Sequence, residues 1–390
     1  MANPFSNSRR APSSRRILIV SPWGLAGGYS GPLTLLDRLC TALANGGAEI
    51  DVIYRDREEE SRKPAWATRV FPVSVRTPYS RLQQIRWGLH VRRFIRRHAS
   101  EYDLVHLHGF YLANQVAVAG ISPRVRTAVL PVLDDGDLGH PNTAAWHPKR
   151  IMVKAALKSV DVGFALSASI ATRLESLGMS AAEIHTIGNL ANEEAFAVGE
   201  DRQGLHSPIV VGFVGKVGGF KNPDLVLRAV SEGVARGANW SATFVGPFAD
   251  DPARARIEGL VRDLNLSDRT TFTGFTRDVA THLAALDVFV LPSSQEGLPG
   301  ALCEAMAAAL PCVVTDVGSM ATHVRAAGAG LIVEANSGAI AAAISQITGP
   351  RWRRYSDNAY SYGVAHFGPA HIAEQYTRSA FAQYAAGVLS

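Results

Sequence analysis

Short apolar runs recur along the chain, each followed by a turn and then by a stretch of helical character. Residues 16–21 (RILIVS), 50–54, 70–73, 102–108 and 126–133 form one series; 209–215 (IVVGFVG), 242–246, 270–273, 287–291 (DVFVL) and 312–315 form a second. Runs this short, rich in Val, Ile and Leu and without strict alternation, predict strands buried on both faces. Segments 32–44, 80–99, 146–159, 169–177, 300–310, 338–347, 352–367 and 369–386 have the spacing or composition of helices. Strand alternating with helix predicts an α/β fold with doubly wound sheets. Residues 191–208 are polar and aperiodic, and read as a linker between two domains. The expected division is a disordered tail over 1–14, a first domain over 15–190, the linker, a second domain over 209–366 and a terminal helix over 367–390.

Composition narrows the class. A chain of 390 residues exceeds one ordinary core and suits two. With 47% hydrophobic and 19% charged residues it is globular and not disordered. No run approaches the ~18 apolar residues of a membrane span. The polar start MANPFSNSRRAPSSRR argues against a secretory leader. Cys40, Cys303 and Cys312 are odd in number and lack metal-ligand spacing, which fits a reducing cytoplasm. A net charge of +5 suits an anionic ligand, nucleic acid or an anionic membrane, and selects none of them.

The stretch 293–311, SSQEGLPGALCEAMAAALP, carries the chemistry. Strand 287–291 precedes it, Pro299 suits a first helical turn, and Pro311 ends the helix. Strand, turn and helix leave free N–H groups at a strand's carboxyl end, where anions bind. Glu296 on the loop and Glu304 inside the helix are placed to grip hydroxyls at the two ends of one long ligand. The amides of Gly297 and Leu298 would hold an anionic middle, as a nucleotide sugar requires. An ordinary surface turn followed by an ordinary helix fits the spacing equally well. In the second domain's opening turn, Lys216 and Lys221 flank a Gly-Gly step after strand 209–215. Two cations there suit a diphosphate whose leaving charge must be stabilised, or are two solvated lysines on a loop.

SSQEGLPGALCEAMAAALPCVVTDVG resembles the Glu-x7-Glu segment of family 4 retaining glycosyltransferases. The resemblance implies the GT-B fold, two Rossmann-like doubly wound domains facing each other across a cleft. It assigns the transferred sugar to Glu296 and the ribose to Glu304, with Gly297, Leu298 and Pro299 on the donor. GKVGGFK resembles the family's G-R-x-x-x-x-K segment, which gives Lys216 and Lys221 the diphosphate. Lys216 stands where the family has Arg, so it offers a point charge and no bidentate fork. YDLVHLH resembles the D-x-x-H-x-H strand, whose second His reaches the donor sugar. This nominates His108 and leaves His106 to packing. Strand alternation turns both rings to one face, but with no third ligand nearby a metal site is discounted. Gly28 and Gly31, in PWGLAGGYSG, are the candidates for the glycine pair that faces the phosphates. TGFT resembles the loop where relatives hold the base through backbone groups, which adds Gly274 and Phe275. Asn189, in IGN, takes the place of the P-N-G turn, and the last helix is expected to cross back to the first domain.

The implied activity is metal-independent, retaining transfer of a hexose from a nucleotide-diphosphate sugar. The acceptor hydroxyl would belong to a glycan, a lipid-linked intermediate or a small molecule. No cofactor is expected. A nucleotide-sugar epimerase or hydrolase of the same fold is the alternative. Nucleic-acid binding is disfavoured because no stacking platform or groove-reading module accompanies the basic residues. The arginine-rich helix over 81–98 reads as a solvated amphipathic helix with Leu82, Ile85, Leu89 and Ile95 as its inner stripe, or as a peripheral membrane contact. The acidic turn Asp134–Asp137 is an acceptor contact or a plain turn. The expected location is cytoplasmic.

Overall fold

The computed structural model describes residues 14–25, 31–56, 63–75, 79–121, 125–132, 137–139, 144 and 146–386. The chain divides into two compact units. The first holds the chain up to Ala165, Ile170–His185 and the segment from Ala373; the second holds Leu166–Ser169 and Thr186–Ile372. No helix among the described residues is long and apolar enough to cross a membrane.

The first unit is built on strands β1 (Arg16–Ser21), β2 (Glu49–Asp56), β3 (Ala67–Ser74), β4 (Leu104–His108), β5 (Arg126–Leu130), β6 (Val162–Ala165) and β7 (Ile184–Thr186). Its helices are α1 (Gly31–Asn45), α2 (Arg81–His98), α3 (Leu112–Val118), α4 (Pro148–Leu157) and α5 (Ala168–Ser176). The sheet runs in the order β3-β2-β1-β4-β5-β6-β7, with parallel pairing. Strand order reverses between β1 and β4, so the loops leaving those two strands open the crevice where ligands bind in such sheets. α3 went unexpected because seven residues are too few to show a period.

Packing corrects the expected inner stripe of α2. The residues it buries are Trp87, Gly88, Val91 and Ile95. Leu82, Ile85 and Leu89 face outward, 58%, 37% and 47% exposed. The reason lies at Gly88: a Cβ there would sit 2.5 Å from the carbonyl oxygen of Ala113 on α3. Only glycine admits so close a crossing, and the face opposite it is left in solvent.

The second unit contains α6 (Glu193–Glu200), β8 (Ile209–Val214), α7 (Pro223–Ala235), β9 (Trp240–Val245), α8 (Asp251–Asp263), β10 (Thr270–Gly274), α9 (Val279–Ala284), β11 (Val288–Leu291), α10 (Gly300–Ala307) and β12 (Cys312–Thr315). It continues through α11 (Met320–Ala327), β13 (Gly330–Val333), α12 (Ser337–Ile347) and α13 (Trp352–Phe367). Its sheet order, β10-β9-β8-β11-β12-β13, reverses between β8 and β11. The last helix, α14 (Pro369–Ala386), starts in this unit and from Ala373 belongs to the first. There the buried Tyr376 stacks on Phe164 with ring centres 4.5 Å apart, and its hydroxyl bonds His106 Nδ1 at 2.7 Å.

The expected linker is not a free connection. It contains α6, whose inward residues, Ala195 and Gly199, are too small to register as an apolar period. Arg202 follows, buried. Its Nε, Nη1 and Nη2 donate to the carbonyls of Ala308, Leu286 and Leu283 at 2.7, 2.6 and 2.7 Å. Burial pulls this guanidinium down to about 10. The segment is therefore built into the second unit.

Candidate active site

In the second unit, the turn after β8 and the turn after β11 meet at the switch point. Lys221 comes from the first and Glu296 from the second, and their Nζ and Oε1 lie 2.5 Å apart. Both side chains are largely shielded, at 14% and 10% exposure. Ser293 Oγ donates to the same Glu296 oxygen at 3.0 Å. The two turns are also tied through backbone, since Ser294 N donates to the carbonyl of Phe220 at 2.7 Å. Asn222, in the left-handed region at φ 49°, donates from Nδ2 to the carbonyl of Pro292 at 3.0 Å. Lys216 is exposed, and its side chain has no partner among the described residues.

The loop 296–299 is held by its carbonyls. Gly297 O accepts from Ser319 N at 2.9 Å and from Ser319 Oγ at 3.1 Å, and Leu298 O accepts from Asn189 Nδ2 at 2.9 Å. The amides of Gly297 and Leu298 donate to nothing among the described residues. Gly318 makes the arrangement possible. It has φ 57°, and a Cβ there would lie 2.3 Å from the carbonyl oxygens of both Glu296 and Gly297. Immediately beyond the loop, α10 begins at Gly300 with Pro299 as its cap, without a side chain closing its first turn. The uncapped amides and the helix dipole make this an anion-accepting end. α10 is apolar on nearly every face and lies buried, which fixes the aim of its N-terminus. Glu304 sits inside α10, only 5% exposed.

At the neighbouring rim, Gly274 has φ 67°, and its carbonyl accepts from Gly246 N at 3.1 Å. The adjoining Phe275 is 41% exposed. Lys221, Glu296, Gly297, Leu298 and Pro299 are thus gathered at the β8/β11 switch point, while Glu304 lies buried about one turn into α10.

In the first unit, His108 ends β4 beside the start of α1, fully buried. Its Nε2 lies 2.7 Å from the carbonyl of Pro32. A carbonyl only accepts, so Nε2 carries the proton and Nδ1 is an acceptor. Nδ1 has no partner among the described residues. Burial brings His108 down to about 4, partly offset by the Pro32 carbonyl, so the ring is neutral near pH 7. Trp23 stands edge-on to both His108 and Tyr111, with ring centres 5.6 and 5.2 Å away. Gly31, the first residue of α1, is exposed, and Gly28 lies outside the described residues. His106 is spent on Tyr376. In the acidic turn, Asp134 and Asp135 lie outside the described residues. Asp137 is buried, and its Oδ2 accepts from Val132 N at 2.7 Å.

Sequence reasoning missed the residues that hold the loop. Ser293 and Ser319 went unmarked because serines in turns are common. Asn189 was marked for its motif, yet its bond to Leu298 spans 109 positions. Trp23, visible as an aromatic residue in the loop after β1, had a signal that was not used.

Two doubly wound units with parallel-paired strands, one of seven strands and one of six, are the architecture of the GT-B fold. Residues 29–194 match the family described as Glycosyltransferase Family 4, and residues 208–349 the one described as Glycosyl transferases group 1. Between them these matches span most of the chain, which belongs to the family 4, group 1 glycosyltransferases. Over 113 residues it is 36% identical to the 2-deoxystreptamine glucosyltransferase of Streptomyces kanamyceticus, a match that covers 28% of each chain. It is 26% identical over 320 residues to the D-inositol 3-phosphate glycosyltransferase of Corynebacterium urealyticum, covering 73% of this chain and 70% of that one. The chain thus spans under a third of the first relative and about 70% of the second.

Among solved structures, Anabaena HepE in complex with UDP aligns with a TM-score of 0.72 at 17% identity, over 93% of this chain and 99% of that one. Sucrose-phosphate synthase of Thermosynechococcus elongatus aligns with a TM-score of 0.72 at 22% identity, over 95% and 100%. At these identities the likeness is one of fold.

Proposed function

We propose that the protein is a retaining, metal-independent glycosyltransferase that moves a hexose from a nucleotide-diphosphate sugar to an acceptor hydroxyl. The observation that carries this reading is the Lys221–Glu296 pair, set at the β8/β11 switch point beside the unclaimed amides of Gly297 and Leu298. In this reading the diphosphate takes Lys221 away from Glu296, and Lys216 adds a second positive charge. The Gly297 and Leu298 amides and the end of α10 receive the remaining phosphate oxygens. The freed Glu296 accepts the hydroxyls of the sugar, and Glu304 accepts those of the ribose. His108, with Nδ1 as acceptor, is assigned to the sugar, and Gly274 and Phe275 to the base.

As the bond from phosphate to the anomeric carbon lengthens, negative charge grows on the leaving oxygen, where preorganised cations and amides stabilise it most. The acceptor hydroxyl attacks from the face the phosphate leaves, and the departing phosphate takes its proton, so no protein base is required. Solved structures of Anabaena HepE hold UDP and UDP-glucose, which makes UDP-glucose the first donor to try. The acceptor is a glycan, a lipid-linked intermediate or a small molecule, met in the cytoplasm with peripheral membrane contact through α2.

The test is titration of UDP into wild type and Glu296→Ala, alongside transfer of labelled glucose to an acceptor pool extracted from membranes. Glu296→Ala is expected to bind UDP at least as tightly as wild type, since Lys221 loses its competitor, while transfer falls roughly a hundredfold or more. Loss of UDP affinity in step with transfer would contradict the role given to Glu296. Release of UDP at full rate without acceptor would indicate a hydrolase or epimerase.

A further inference from the structure

We propose that the ring of Phe220 seats the acceptor, and that the acceptor presents a saturated sugar ring to it. The proposal deepens the transferase reading, on which it rests, by naming the chemical class of the acceptor and the side chain that selects it.

The turn after β8 is built to display Phe220. Gly218 and Gly219 precede it at φ 139° and 59°, and Asn222 follows at φ 49°. Such left-handed backbone is open to glycine and, at some cost, to asparagine. A Cβ at Gly218 would lie 2.9 Å from that of Ala249, so the turn is pressed against the chain beyond β9. The carbonyl of Phe220 accepts from Ser294 N at 2.7 Å and from Ser294 Oγ at 3.2 Å, and Asn222 Nδ2 ties the end of the turn to Pro292. The backbone is held on both sides of Phe220, yet its side chain is left 48% exposed.

A single exposed apolar residue is ordinary. The setting of this one is not. Phe220 and Phe275 are the exposed aromatic residues of the second unit among the described residues, and both lie on turns beyond the carboxyl ends of strands. That is the edge of a doubly wound sheet where ligands bind. Phe275 is assigned to the base, which leaves Phe220. Lys221 Nζ lies 5.6 Å from the centre of the Phe220 ring and 2.5 Å from Glu296 Oε1. An aromatic face and a carboxylate therefore flank the same ammonium group.

Aromatic surface with a few placed polar groups suits a ligand that is apolar on one side and polar on another. A pyranose is such a ligand, with C–H groups across its faces and hydroxyls around its rim. The reaction indicates which sugar meets Phe220. In the proposed transfer the acceptor hydroxyl attacks from the face the phosphate leaves, so the acceptor lies beside the group that holds the phosphate. That group is Lys221, and Glu296 is already assigned to the transferred sugar. The apolar surface remaining at Lys221 is the Phe220 ring, which is thus assigned to the acceptor. An acyclic polyol has the hydroxyls but no face to lay on it.

The experiment measures transfer from UDP-glucose by the full chain to octyl glucopyranoside, octyl galactopyranoside and octyl mannopyranoside. The comparison acceptor is an octyl ether of glycerol, which has the same tail and its hydroxyls on no ring. Wild type is expected to use the best pyranoside about tenfold more efficiently, in kcat/KM, than the glycerol ether. Phe220→Ala changes an exposed position, so its melting temperature should hold and its Kd for UDP should stay within about threefold. Its KM for that pyranoside should rise about tenfold, and the preference over the glycerol ether should vanish. Phe220→Tyr returns the ring and should restore both. Equal use of the glycerol ether by wild type, or a preference that survives in Phe220→Ala, would overturn the proposal. So would UDP affinity lost in step with transfer, which would place the ring on the donor. Wild type that glucosylates the membrane-extracted acceptor pool but none of the pyranosides defeats only the acceptor assignment. Wild type that neither binds UDP nor transfers glucose defeats the transferase reading itself.

Discussion

Lys221 and Glu296 neutralise each other across 2.5 Å, with Ser293 on the same carboxylate oxygen. In the proposed function, an arriving diphosphate competes with Glu296 for the lysine, and its success frees a carboxylate for the sugar. Lys221→Ala should weaken UDP about tenfold or more while changing uridine by less than about twofold, because only the charged part of the ligand loses its partner. Equal weakening of both in calorimetric titrations would remove the phosphate assignment. At this scale the sequence nominated Glu296 and Glu304 through their resemblance to a family motif, since their spacing alone fitted an ordinary turn and helix equally well. It was silent about Ser293 and Ser319, whose roles depend on which carbonyl or carboxylate the fold brings to them.

Elements were misread where their inward residues are small or where both faces carry apolar groups. α6 buries Ala195 and Gly199 and so resembled a polar linker. The Arg202 guanidinium behind it serves three carbonyls, those of Leu283, Leu286 and Ala308. Arg202→Ala would leave those acceptors buried and unpaired, at a cost of about 3 kcal/mol or more. Urea unfolding should show a lowered midpoint, and Arg202→Lys should recover only part, since an ammonium cannot span three acceptors in a plane. An unchanged midpoint in the Ala variant would show the segment to be the loose connection its composition suggested. α2 poses the converse case. Leu82, Ile85 and Leu89 have the spacing of a buried stripe, as does the Trp87–Val91–Ile95 side, and only the close crossing at Gly88 decides between them.

For the molecule as a whole, the first unit buries two neutral histidines. Burial brings His108 to about 4 and His106 well below its ordinary value. Both protonate more readily in the unfolded chain, so the unfolded state takes up protons as pH falls from about 6.5 toward 4. The stability these rings contribute is full above that window and is lost through it, by roughly 3 kcal/mol for His108. Thermal melts should therefore fall between pH 7 and 4, with a shallower slope in His108→Asn; equal slopes would show that His108 is not buried neutral.

The sequence by itself determined the alternation of strand and helix and the presence of two parallel sheets, because strands covered on both faces must be continuous apolar runs. It also nominated Glu296, Glu304, Lys216 and Lys221, because the segments that carry them resemble the motifs of a known family, whereas their spacing alone fitted an ordinary turn and solvated lysines as well. Tertiary structure alone decided that Lys221 meets Glu296, that Asn189 and Ser319 turn the loop's carbonyls inward and leave its amides open, and which side of α2 faces out. Those outcomes depend on contacts between residues far apart in the chain, set by close packing and by the need to pair every buried polar group, and no local pattern encodes them.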